Sequence, residues 1–157
     1  MDILLKKTEF IPRQGTEHSI GYDVVATTDP EINGEFLVED PKLYSRINYI
    51  QYKTSVFLVP DLHEVVKKEL KSKILATNIY PRSSISKYNL ILKNSVGICD
   101  ADYTGEYLIR FAYTVQPEDL VIKNNRIYAT INHSKIYKKG DKCGQLIFTS
   151  GYKANFH

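Results

Sequence analysis

The 157-residue chain has no tryptophan, one methionine, two cysteines and eight glycines, and no apolar run long enough for a membrane-spanning helix. Cys99 and Cys143 supply neither the number nor the spacing of a disulfide scaffold or a zinc module. Two free, mostly buried thiols in a reducing compartment are expected instead. The four histidines, at 18, 63, 133 and 157, are too scattered for a ligand cluster. The start, Met-Asp-Ile-Leu-Leu-Lys-Lys, lacks the pattern of a secretory signal. A cytosolic or nuclear protein is expected, in the host cytoplasm if the source is viral. Long runs of one charge are missing as well. The net charge is +3, and the densest basic patch (Lys67, Lys68, Lys71, Lys73) alternates with apolar residues. That pattern fits a solvated helix face rather than a nucleic-acid surface, while a modest positive charge suits a small polyanionic substrate.

What is present is β-rich. Apolar residues make up 43% and charged residues 25% of the chain, ordinary for one globular domain, taken here as 1–157. Short segments rich in β-branched and aromatic residues are bounded by Gly, Pro, Asn or Asp. Strands are expected at 2–6, 20–26, 35–38, 54–59, 74–79, 89–92, 95–99, 106–115, 120–123, 126–131 and 144–149. Asn124-Asn125 reads as a tight hairpin turn, since Asn tolerates positive φ. Asp61 and Glu64 form a capping box ahead of Leu62, Val65, Val66 and Leu70 at helical spacing, which predicts one short helix over 62–72. A single helical turn is expected at 83–87. Many short strands with little helix imply an all-β sandwich or barrel.

Two stretches carry the chemistry. Residues 94–106, Asn-Ser-Val-Gly-Ile-Cys-Asp-Ala-Asp-Tyr-Thr-Gly-Glu, crowd two carboxylates, an aromatic and a Gly turn onto the end of a short apolar strand. Upstream, Pro81-Arg82-Ser83-Ser84 combines a cation, two hydroxyls and a helix start, a set suited to anions. Carboxylates beside an anion site suggest metal-assisted phosphate chemistry. Each element taken alone has a structural reading too. Gly21-Tyr22-Asp23 can be a strand entry, Pro81-Arg82-Ser83-Ser84 a helix cap, and Gly140-Asp141-Lys142 a plain turn.

In this order the elements resemble the trimeric all-β dUTP diphosphatases (dUTPases), over about Gly21 to Phe148. Ile20-Gly21-Tyr22-Asp23-Val24 resembles the family's first motif and Pro81-Arg82-Ser83-Ser84-Ile85 the second. Residues 94–106 resemble the third and Lys139-Gly140-Asp141-Lys142-Cys143-Gly144-Gln145-Leu146-Ile147-Phe148 the fourth. The resemblance implies a jelly-roll-like (β-clip) subunit, a homotrimer with sites at subunit interfaces, and Mg²⁺-assisted hydrolysis of dUTP to dUMP and pyrophosphate. It implies that Asp100 orients and activates the attacking water and that Asp23 holds Mg²⁺ through water. Arg82, Ser83, Ser84 and Gln145 would meet the phosphates. Asn94 and Gly97 belong to the hairpin that would enclose uracil, rejecting cytosine by leaving buried groups unpaired. Tyr103 would stack on the deoxyribose and exclude a 2′-hydroxyl. Asp102 is left as a turn carboxylate.

The resemblance has gaps. The family's fifth motif, a Gly-rich closing arm with Arg-Gly and Phe, has no counterpart in Thr149-Ser150-Gly151-Tyr152-Lys153-Ala154-Asn155-Phe156-His157. Ile20, Cys99 and Gly144 replace the usual Ala, Ile and Ala. The chain is longer than typical members near 61–76 and 117–139, where loops could serve oligomer contacts or a protein partner. Two alternatives follow: a dUTPase-fold binding or regulatory protein with little turnover, and a dCTP deaminase or bifunctional enzyme. The deaminases share the Arg-Ser-Ser element but need a second Arg, where Lys87 lies here.

Overall fold

A computed structural model of the chain describes residues 10–57 and 73–152. Eleven strands occur among them: β1 (Arg13–Gln14), β2 (Tyr22–Val25), β3 (Glu31–Leu37), β4 (Asp40–Lys53), β5 (Lys73–Tyr80), β6 (Leu90–Leu92), β7 (Gly97–Cys99), β8 (Leu108–Tyr113), β9 (Leu120–Lys123), β10 (Arg126–Ala129) and β11 (Lys142–Tyr152). They form two antiparallel sheets. One has the order β1-β2-β11-β5-β7, the other β6-β8-β4-β10-β9 with β3 also paired to β4. This is the all-β architecture that the short-strand pattern predicts, in the jelly-roll-like form that the resemblance implies.

The sheets are held by alternation. Val24, Ile79 and Leu146 of the first sheet and Ile50, Tyr52, Ile109 and Phe111 of the second are all at most 4% exposed and share one core with Ile136, Tyr137 and Cys143. Full burial of each such side chain contributes about 1.5–3 kcal/mol. Edge-to-face rings tie the loop before β11 to the second sheet: the Tyr52 ring meets Phe111 and Tyr137 at 5.7 and 6.0 Å, and its hydroxyl donates to the Tyr137 carbonyl at 3.0 Å. Because Val24 faces this core, its neighbours Asp23 and Val25 on β2 face outward. That inversion sets the whole polar row described below.

Most local expectations hold. Asn124 and Asn125 have φ of 52° and 56° and join β9 to β10, the mirror-image turn whose twist suits a two-residue hairpin. The turn at 83–87 is present as a 3₁₀ helix of five residues. Its start differs from the cap suggested above: Arg82 occupies the N-cap position in extended conformation, and no side chain caps the turn. Both cysteines are free, and burial pushes the Cys143 thiol up to about 12.

The largest difference is β4. Its 14 residues pair with β3, β8 and β10 and form the spine of the second sheet, where no strand is predicted between 38 and 54. Residues 54–57 are instead irregular. Ser55 takes a φ of 54° there, and the Glu106 carboxylate accepts the Thr54 and Ser55 N–H groups at 3.1 and 2.8 Å. The expected strand at 2–6, the helix at 62–72 and Phe156 lie outside the described residues. No helix among the described residues is long and apolar enough to cross a membrane.

Candidate functional site

The predicted site residues fall into two clusters. The first is a cavity of about 450 Å³ on the β5–β7 side, whose lining includes Asn94, Gly97, Asp100, Tyr103 and Glu106. All four third-motif residues singled out from the sequence therefore converge on one space. The size suits a nucleoside, and the lining mixes apolar side chains such as Ile79, Ile98 and Ile109 with the polar Lys93, Asn94, Asp100, Glu106 and Arg110.

Local geometry explains the spacing of that motif. β7 pairs antiparallel with β5, with Gly97 opposite Ile79. A Cβ on Gly97 would lie 3.2 Å from Ile79 Cβ and 3.3 Å from the Asn94 amide nitrogen. Glycine here lets Asn94 close over the strand. After Cys99 the chain turns, with Tyr103 N–H donating to the Asp100 carbonyl at 3.1 Å. This turn holds Asp100 at the end of β7. The Tyr103 hydroxyl donates to the Glu106 carbonyl at 3.0 Å, and its ring lies 5.7 Å from that of Tyr107. A Cβ on Gly105 would fall 2.5 Å from the Tyr103 hydroxyl oxygen, so the Tyr-x-Gly spacing permits the ring to fold back. The Asp100 side chain is exposed, with no hydrogen bond or ion pair to its carboxylate among the described residues. Asp102 is an exposed turn residue and does not line the cavity. Cys99 lines it, half-buried, and burial raises its thiol pKa.

The second cluster contains the residues of the other three motifs. Asp23 on β2 pairs in register with Gln145 on β11, which pairs with Tyr80 at the end of β5. Residues paired in this way share a face, so Asp23 and Gln145 stand side by side where β5 leads into Pro81 and Arg82. The Gln145 amide donates to the Pro81 carbonyl at 2.9 Å. Arg82 Nε donates to Asp23 Oδ1 at 2.7 Å, and Arg82 Nη1 reaches Ser84 Oγ at 3.4 Å. Ser83 is exposed at the start of the short 3₁₀ turn. A Cβ on Gly21 would collide with the Gln145 side chain, 2.4 Å from its amide oxygen, so the first-motif glycine makes room for the fourth-motif amide.

Sequence reasoning missed Lys142. Its ammonium lies 2.8 Å from Asp23 Oδ2, so one carboxylate bridges two cations. Burial of Asp23 works to raise its pKa, but the hydrogen bonds and charges of Lys142 and Arg82 outweigh it and hold the carboxyl below its ordinary value. The only signal in the sequence is the position of Lys142 just after the Gly140-Asp141 turn, and nothing local says that it faces β2.

A lowered folded-state pKa stabilises the fold above the ordinary carboxylate range, and this contribution is lost as pH falls through the lowered value. Asp23→Asn is therefore expected to lower the urea midpoint at neutral pH and to shrink its fall as pH drops below the ordinary carboxylate range. Midpoints measured across that range check it; parallel wild-type and variant curves would exclude the role.

No group of three or more His, Cys, Asp or Glu residues suited to a metal is found among the described residues. Asp23 is the one acid of its cluster, already contacted by two cations, so direct chelation of a cation does not fit. A metal carried on a polyphosphate with its water shell does fit, because each carboxylate oxygen keeps a further lone pair to accept from such a water.

No family model matches the chain. Among proteins of assigned function, it is 27% identical over 149 residues to the deoxyuridine 5′-triphosphate nucleotidohydrolase of Wigglesworthia glossinidia brevipalpis, spanning 94% of this chain and 74% of that protein. Solved structures align over nearly its full length. The dUTPase of Staphylococcus aureus phage phi11 matches with TM-score 0.64 at 16% identity, covering 100% of this chain and 95% of that one. The dUTPase of Staphylococcus bacteriophage 80alpha gives 0.61 at 16% identity, with 99% and 94% covered. The chain has the fold of these dUTPases. Its two clusters then acquire a common frame, although they share no lining residue within one chain: Asp23, Arg82, Ser83, Ser84 and Gln145 are all absent from the lining of the third-motif cavity.

Proposed function

We propose that the chain is a dUTP diphosphatase, hydrolysing dUTP to dUMP and pyrophosphate, and that it works as a homotrimer with Mg²⁺. The observation that carries this reading is the single cavity in which Asn94, Gly97, Asp100 and Tyr103 converge. Asn94 offers an amide donor and acceptor to a base edge, beside strand backbone groups at Gly97. Cytosine reverses the donor and acceptor pattern and would leave buried groups unpaired, a larger cost than one lost contact. Asp100 orients a water towards the α-phosphorus and takes its proton. Arg82, Ser83, Ser84 and Gln145 hold the phosphate chain through charge-assisted and hydroxyl contacts. Asp23 would hold Mg²⁺ by accepting from its water shell, and the ion would supply charge neutralisation for the triphosphate. The relatives support the reading: the Wigglesworthia protein is named for this activity, one phage dUTPase structure describes a structural Mg(II) ion, and another contains dUpNHpp.

The test is pyrophosphate release by this chain with Mg²⁺, comparing dUTP with dCTP, dTTP and UTP. Release confined to dUTP is expected. Release from dCTP, or binding of dUTP without release, would replace the reading by a deaminase-like or a regulatory protein. Tyr103 gives a finer check. Its hydroxyl is engaged by the Glu106 carbonyl, so the ring face, not the hydroxyl, meets the sugar. Tyr103→Ala is expected to lose about tenfold of the kcat/KM preference for dUTP over UTP, while Tyr103→Phe keeps most of it. Equal selectivity in all three proteins would remove the role.

A further inference from the structure

The outward row on the first sheet holds more positive charge than its one acid requires. Arg13 on β1 pairs in register with Asp23, so Arg13, Asp23 and Gln145 form a continuous line across β1, β2 and β11. Arg13 is exposed, and its guanidinium has no ion pair or hydrogen bond among the described residues. Lys142 enters from the start of β11 and Arg82 from the end of β5. Two cations therefore contact one carboxylate, and a third stands opposite it in register. A cavity of about 600 Å³, lined by Arg13, Gln14, Gly15, Asp23 and Lys142 among others, opens along this row. An ammonium has three donors, and Asp23 occupies one of those on Lys142. Neutralising Asp23 requires a single cation; the excess is suited to a multiply charged anion, and its place beside Arg82 and Ser84 continues the proposed phosphate path.

We propose that Arg13 and Lys142 form a subsite for the distal phosphates of the nucleoside triphosphate, so that this chain distinguishes tri- from monophosphates through cations on β1 and β11. Arg13 lies outside all four matched motifs. The inference rests on the dUTPase reading and names which end of the substrate this row receives.

The test is calorimetric binding of dUMP, dUDP and a non-hydrolysable imido analogue of dUTP, with Mg²⁺, to the wild-type chain, Arg13→Gln, Lys142→Met and Lys142→Arg. Loss of a charge-assisted phosphate contact weakens binding by about tenfold or more. Arg13→Gln and Lys142→Met are expected to weaken the triphosphate analogue by that factor and dUMP by less than about twofold. Lys142→Arg restores most of the loss, because it keeps both the charge and the Asp23 pair. Arg13 is exposed, so its substitution reads binding without disturbing the fold. Unchanged triphosphate affinity in Arg13→Gln and Lys142→Met, or an equal loss for dUMP and the triphosphate, would overturn the subsite while leaving the dUTPase reading intact. A wild-type chain that binds none of the three would overturn both.

Discussion

Asp100→Asn is expected to reduce the rate of pyrophosphate release from dUTP by about 10²- to 10⁴-fold with little change in nucleotide affinity. The argument is positional. Asp100 follows β7 at the lining of the third-motif cavity, and its backbone is fixed by the Tyr103 N–H bond to the Asp100 carbonyl rather than by its side chain. The carboxylate makes no hydrogen bond or ion pair among the described residues, so an amide of the same shape leaves the turn, the cavity and the Asn94 amide in place. What the amide lacks is the capacity to take a proton from water. The change therefore separates chemistry from binding: kcat falls, while calorimetric affinity for the imido analogue stays within about threefold. Near-wild-type turnover by Asp100→Asn would mean that another group activates the water. A matching loss of binding would mean that Asp100 acts on the ground state.

The parts of this site that were legible in sequence are those fixed by local geometry. Asn94, Gly97, Asp100 and Tyr103 lie within ten residues, and their mutual placement depends on one short strand and one turn. Gly97 and Gly105 mark close approaches to Asn94 and Tyr103, and close approach is what glycine provides. The hairpin at Asn124-Asn125 was legible for the same reason, as both residues must adopt positive φ. Strand β4 was not. Pro41 near its start, and Ser45, Arg46 and Asn48 within it, interrupt the apolar alternation, and its strand character comes from pairing with β3, β8 and β10. Lys142 and Arg13 escaped because strand register, not spacing along the chain, brings them to Asp23. Glu106 was visible as a motif residue, but its bonds to the Thr54 and Ser55 N–H groups depend on where β4 ends.

Mixing two inactive variants is expected to restore activity. Within one chain Asp100 lines the third-motif cavity, while Arg82, Gln145 and their neighbours lie outside its lining, bound to Asp23 and to the Pro81 carbonyl. If a working site takes Asp100 from one copy and Arg82 from another, as proposed for the homotrimer, Asp100→Asn and Arg82→Ala disable different donors. In a trimer that contains both variants, one site of the three receives intact Asp100 from one copy and intact Arg82 from its neighbour, giving about a third of wild-type activity. If both residues served a site within one chain, every site would lack one of them and the mixture would stay as inactive as its components. Co-expression of the two variants with different affinity tags, isolation of the doubly tagged assembly and measurement of dUTP turnover decides between these outcomes. Recovery near a third also separates exchange of site residues from simple stabilisation of one variant by the other, because stabilisation leaves the missing carboxylate or guanidinium missing at every site.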